Sequence, residues 1–125
     1  MKNNYVLIST KGEYQIVQIE KEQFLNKCYE LINCEIIEIR VPNVFGNSLR
    51  FIIDESGMLN EQKYNPLATT LYNRPDILFG NVIVGKVGIN QYGKPDVVEL
   101  TDEECNCLIT VLTDISKELC VCGLL

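Results

Sequence analysis

Ile37-Glu38-Ile39-Arg40-Val41, then Pro42-Asn43-Val44-Phe45-Gly46-Asn47, then Leu49-Arg50-Phe51-Ile52-Ile53, is the stretch on which the fold turns. Its two outer runs alternate with a period of two, as strand residues do when successive side chains leave opposite faces. Ile37, Ile39 and Val41 share one side of the first run, with Glu38 and Arg40 on the other. Leu49, Phe51 and Ile53 share one side of the second, with Arg50 and Ile52 on the other. The middle run is rich in turn formers, so the pair reads as two adjacent antiparallel strands. Pairing the apolar sides sets Ile39 against Phe51 and Val41 against Leu49, which places Arg40 directly opposite Arg50.

Working outward, Tyr5–Ile8 and Tyr14–Ile19 read as a hairpin closed by Ser9-Thr10-Lys11-Gly12-Glu13. Phe24, Leu25, Cys28, Leu31 and Ile32 then form one apolar stripe on a helix from about Lys21 to Asn33, with Phe24 and Leu31 expected on the sheet. Downstream, Glu55-Ser56-Gly57 ends the second strand and residues 58–64 read as a loop. Asn65-Pro66 is a cap followed by proline at the first helical position, opening a short helix, Pro66–Tyr72, that stops before Pro75. Residues 81–87 and 96–100 read as strands around a hairpin tip at 90–94. Thr101-Asp102-Glu103-Glu104 is a capping box. Behind it Leu108, Val111, Leu112, Ile115 and Leu119 make the stripe of an acidic C-terminal helix at about 102–119. The order ββαββαββα, joined by hairpins, predicts an α+β fold with a mainly antiparallel sheet in one domain over residues 1–125.

The chain has 125 residues, 46% of them hydrophobic and 22% charged, which suits one domain with a core of its own. No apolar run approaches the roughly 18–20 residues that span a bilayer. The first residues lack the apolar core of a signal peptide, so a membrane partner is not expected and a cytoplasmic location is. Net charge is −6, carried mostly by the C-terminal segment. There Lys117 stands alone against Glu99, Asp102, Glu103, Glu104, Asp114 and Glu118. Without a basic footprint to neutralise phosphates, binding to a nucleic-acid duplex is not expected.

There is no histidine, so the commonest general base and metal ligand is missing. Six cysteines include the pairs Cys105/Cys107 and Cys120/Cys122. Zinc ligands are usually spaced by two to four residues, and helix positions two apart diverge by about 160°. Core or surface thiols are therefore expected, with Cys105 and Cys122 nearest the apolar stripe, and no metal or cofactor. With no nucleophile or base in a recognisable setting, the chain is not expected to be an enzyme.

The segments Phe51-Ile52-Ile53-Asp54 with Gly57, Asn65-Pro66-Leu67-Ala68-Thr69, Gly80-Asn81-Val82-Ile83-Val84-Gly85 and Leu100-Thr101-Asp102-Glu103-Glu104 resemble a phage and mobile-element family, domain of unknown function 3846. The resemblance covers roughly residues 35–105, and the cysteine-bearing C-terminal helix departs from it. It implies origin in a phage, plasmid or integrative element and residence in the cytoplasm of a bacterial host. It brings no catalytic residues.

Two features suggest a ligand. Like charges facing each other across a hairpin are unfavourable unless something lies between them, and arginine forks suit phosphate or carboxylate. The anion between Arg40 and Arg50 is a bound ligand on one reading, and Glu38 or Asp54 on a solvated face on the plainer one. The Asn65-Pro66 helix start, with Thr69 one turn on and Arg74 just beyond, is an amide-rich anion seat or an ordinary cap. Arg40, Arg50, Asn65, Thr69 and Arg74 are thus the candidate ligand-binding residues. The expected role is non-enzymatic: sequestration of an anionic nucleotide-like signal for counter-defence. The alternative is a protein-interaction module that modulates a host protein through the acidic helix. A homo-oligomer is compatible with either.

Overall fold

The computed structural model describes residues 2–90 and 92–125. Met1 and Gln91, which the sequence reading put at the leading end and in the 90–94 hairpin tip, lie outside them. Among the described residues the strands are β1 (Lys2–Ile8), β2 (Tyr14–Glu20), β3 (Ile37–Arg40), β4 (Leu49–Asp54), β5 (Val82–Ile89) and β6 (Pro95–Val98). The helices are α1 (Phe24–Ile32), entered through a 3-10 turn at Lys21–Gln23, α2 (Pro66–Tyr72) and α3 (Asp102–Val121). The α+β class and the order of elements are as expected. α3 runs two residues past the expected end at 119, and β1 starts three residues before Tyr5.

All strand ladders are antiparallel, in the order β2-β1-β5-β4-β3, and β6 pairs with the second half of β5. β5 meets β1 through Val82–Val84 and β6 through Lys86–Ile89. Gly85 stands at this handover. A Cβ there would fall 2.7 Å from Val97 Cγ1 and 2.8 Å from the Val98 carbonyl oxygen, so only glycine lets β6 come in so close.

Each sheet face has its own helical cover. Val6, Val84 and Phe51 share one face, packed with Leu67, Leu71 and Tyr72 of α2 and Cys105, Leu108 and Leu112 of α3. Leu7, Ile83 and Ile52 share the other, packed with Cys28 and Ile32 of α1. Phe24 and Leu31 pack at the edge of that second cluster, while Leu25 is half exposed. Because β4 and the first half of β5 are covered on both sides, neighbouring residues such as Phe51 and Ile52 are both fully buried. Burying Phe51 alone is worth about 2–3 kcal/mol of hydrophobic stabilisation.

The β3–β4 register differs from the expected one by a single residue. Ile39 lies opposite Ile52, and Arg40 opposite Phe51. A slip of one residue turns every side chain of a strand to the other face. Ile37 thereby joins the α1-side cluster, and Glu38 and Arg40 turn to the α2 side. The connection accommodates the shift through a left-handed run at Phe45, Gly46 and Asn47, with φ of 53°, 64° and 64°. Asn33 and Asn73 end α1 and α2 in the same left-handed region, where asparagine is well tolerated.

Candidate functional site

Arg40 sits on the edge strand β3 and reaches over the α2 face. Its Nε donates to Glu38 Oε1, and its Nη1 donates to Asp76 Oδ2 at 3.1 Å and to the Tyr72 hydroxyl at 3.3 Å. The side chain is about two-thirds covered, and the Glu38 carboxylate, then Tyr72, raise its pKa further above the usual guanidinium range. Two carboxylates therefore already neutralise it. Arg74 comes from the turn that supplies Asp76, and its Nε donates to the Val41 carbonyl at 2.6 Å. Arg40 and Arg74 are thus brought to the same end of β3.

Arg50 is elsewhere. It pairs with Gly85 on β5 and shares its face with Ile52, opposite to the face of Arg40. Its Nη1 donates to the carbonyls of Asn47 and Leu49, at 2.7 and 2.8 Å, fastening the connection that leads into β4. The expected direct opposition of Arg40 and Arg50 is corrected by the one-residue register shift, which separates them by the thickness of the sheet.

Asn65 is fully buried, and all of its side-chain hydrogen-bonding groups are engaged. Nδ2 donates to the carbonyls of Ile8 and Gly80 at 3.1 and 2.9 Å, and Oδ1 accepts from the Ala68 amide at 3.0 Å. Thr69 Oγ1 accepts from the Leu78 amide at 2.9 Å. Asn65 and Thr69 hold the start of α2 against β1 and the 78–80 segment. This is capping that also welds tertiary structure.

A constellation that the sequence reading passed over lies at the end of β4. Among the described residues Asp54 is a buried carboxylate held by neutral donors: the Ser56 amide at 2.9 Å, Asn60 Nδ2 at 3.1 Å and Gln62 Nε2 at 3.2 Å. Gln62 also donates to the Ile32 and Asn33 carbonyls, tying the 54–62 loop to the end of α1. The Asp54-Glu55-Ser56-Gly57 turn chemistry was the available signal. Beside this cradle is an open cleft of about 480 Å³ lined by Tyr29, Asn33, Cys34, Glu35 and the side of the loop. Burial, then the Asp54 charge, push the Cys34 thiol up. That is opposite to what activates a nucleophile.

A second cleft, of about 400 Å³, opens beside β6, between Tyr5, Phe24, Lys21, Tyr92, Asp96 and Glu99. The Tyr5 and Phe24 rings lie 4.9 Å apart. Burial, then Glu99, raise the Tyr5 hydroxyl above its ordinary range.

Among the described residues no three or more His, Cys, Asp or Glu side chains gather where they could hold a metal ion. Cys105 is buried, as expected, but Cys122, the residue that caps the end of α3, is exposed. No helix of the described residues is long and apolar enough to cross a membrane.

A six-stranded antiparallel sheet carrying one helix on one face and two on the other defines a small α+β domain. The chain belongs to the family described as domain of unknown function (DUF3846), which it matches over residues 1–114. The match takes in the first hairpin, α1 and most of α3, beyond residues 35–105, whose segments carry the resemblance. No curated protein and no solved structure matches the chain.

Proposed function

We propose that this is a non-enzymatic accessory protein of a phage or other mobile element, acting by contact with a bacterial host protein through the acidic face of α3. The observation that carries the reading is the placement of Glu103, Asp114 and Glu118. All three are exposed, and none is in an ion pair among the described residues, in contrast to Glu104, which Lys86 engages at 2.6 Å. Their positions fall within roughly 60° around the helix axis, so they present one stripe of negative charge. Such a stripe speeds encounter with a basic patch and repels competitors of like charge.

Sequestration of an anionic nucleotide-like signal is the other reading. Its support in the fold is the nearness of Arg40 and Arg74 at one end of β3. It requires an anion to displace Glu38 and Asp76 from Arg40, and it draws nothing from Arg50.

One experiment separates the two. The protein and a variant carrying Glu103→Lys, Asp114→Lys and Glu118→Lys are used to capture partners from host lysate, and each captured protein is then purified and tested for direct binding. A partner that binds the wild type and loses at least tenfold in affinity for the variant supports the first reading. Equal binding to both removes α3 as the contact. A small molecule released on denaturation, and detected by mass spectrometry, supports the second reading instead.

A further inference from the structure

We infer that β3 is a self-association edge, and that two copies of the chain pair antiparallel across it about a two-fold axis at Ile39. β3 ends the sheet order, so its outer side carries no strand among the described residues. The direction of its backbone groups follows from the ladder. The Glu55 amide donates to the Ile36 carbonyl at 3.0 Å, which makes Ile36 and Glu55 a hydrogen-bonded pair. Such pairs alternate along an antiparallel ladder, so Glu38 and Arg40 turn their N–H and C=O groups to β4, and Ile37, Ile39 and Val41 turn theirs outward. The Arg74 guanidinium bonding the Val41 carbonyl from outside the ladder agrees with this.

Only residues with outward groups can pair across the edge, which leaves few two-fold registers. Centred on Glu38 the register opposes two glutamates, and centred on Arg40 it opposes two arginines. Centred on Ile39 it sets Glu38 of each copy opposite Arg40 of the other, on one face. It sets Ile39 against Ile39 on the other face. Opposite charges facing across a ladder stabilise it and like charges destabilise it, so charge selects the Ile39-centred register. Ile37 then exchanges hydrogen bonds with Val41 of the other copy, whose carbonyl keeps a lone pair free beside the Arg74 contact.

The side chain at the centre is uncovered. Ile39 is 49% exposed, and Ile36, just before the strand, is 59% exposed. A bare apolar edge is the usual site of strand-to-strand association. β2, the opposite edge, offers no comparable code, since its seven residues carry the single charge of Glu20. Shortness of β3 and Pro42 at its end confine the pairing to these few residues and stop it from spreading.

The test is sedimentation of the full chain under reducing conditions, from micromolar to near-millimolar concentration, which keeps the exposed thiols of α3 from linking copies. The expected result is a concentration-dependent dimer. Ile39→Lys and Ile39→Glu, at an exposed position, should each keep the wild-type melting profile of the monomer and each sediment as monomers. Mixed in equal amounts, the two variants should regain the dimer, because lysine then faces glutamate at the axis. A wild type that stays monomeric throughout overturns the inference. So does an Ile39→Lys variant as dimeric as wild type, and a mixture that remains monomeric rejects the Ile39-centred register.

Discussion

Arg40 and Arg50, on the two strands of one hairpin, leave opposite faces of the sheet. Arg40 lies over Phe51 on the α2 side and is held by Glu38, Asp76 and Tyr72. Arg50 lies beside Gly85 on the α1 side and is held by backbone carbonyls. The like-charge repulsion that would accompany direct opposition does not arise, and no bound anion is needed to relieve it.

The two arginines should accordingly respond differently to removal. Arg40→Ala leaves Glu38 and Asp76 without a partner and is expected to cost about 1 kcal/mol, the modest size reflecting part-exposed ion pairs. Arg50→Ala frees two carbonyls to water and should cost less than about 0.5 kcal/mol. Urea denaturation of both variants measures this. A nucleotide that raised the melting temperature of wild type and lost its effect equally in both variants would contradict the separation of the faces.

Asn65 should tolerate no substitution. Asn65→Ala strips donors from the buried carbonyls of Ile8 and Gly80 and the cap from the Ala68 amide, which is expected to cost about 3 kcal/mol or more. Asn65→Asp keeps the capping oxygen but aims a second acceptor at two carbonyls. It should be at least as damaging despite aspartate being a good cap on exposed helices. Chemical denaturation of the two variants decides; an Asn65→Asp protein as stable as wild type would mean the carbonyls have other donors.

Acid sensitivity should trace partly to Glu104. Lys86, through a 2.6 Å hydrogen bond, and then the Thr101 amide hold its carboxyl below the ordinary value. A depressed folded-state pKa means the unfolded chain binds the proton first. The stabilisation is therefore complete above the unfolded value near 4.5 and is lost as pH falls through the folded value below it. Glu104→Gln should be less stable than wild type at pH 7, and the gap should close on acidification below that value. Melting curves from pH 7 to pH 3 show the convergence. A gap that widens in acid would reverse the assignment.

The six thiols should fall into kinetic classes. Burial pushes the Cys28 thiol up to about 12 and also raises Cys105, and both lie in the cores. Cys107, Cys120 and Cys122 are exposed on α3 and its end. With a disulfide reagent at neutral pH, those last three should react rapidly in the folded protein, Cys34 more slowly, and Cys28 and Cys105 only on unfolding. Elemental analysis of the same sample is expected to find no stoichiometric zinc. One zinc per chain would make the C-terminal thiols a metal site.

Local chemistry made much of the architecture legible. Asn65-Pro66 opens α2 at the expected residue, and Thr101 and Glu104 close the capping box at the start of α3. These signals reside within a few residues of each other and act before any tertiary contact forms. The candidate site was less legible. Asn65 reads as a surface cap in isolation, and only the approach of Ile8 and Gly80 makes it a buried weld. Asp54 reads as a carboxylate for Arg40 and Arg50, but it pairs with neither among the described residues, and its cradle needs Asn60 and Gln62 folded back over it.

What the sequence by itself determined was the set of elements, their order and their antiparallel joining, because periodicity, caps and turn residues are local properties. What only the tertiary structure decided was the register of β3 on β4, and with it the face on which each arginine stands. β4 is buried on both sides, so Phe51 and Ile52 are equally apolar and alternation cannot say which of them Ile39 should meet. That choice fell to the packing of Ile37 on the α1-side core, and to the carboxylate and hydroxyl that receive Arg40 across the chain.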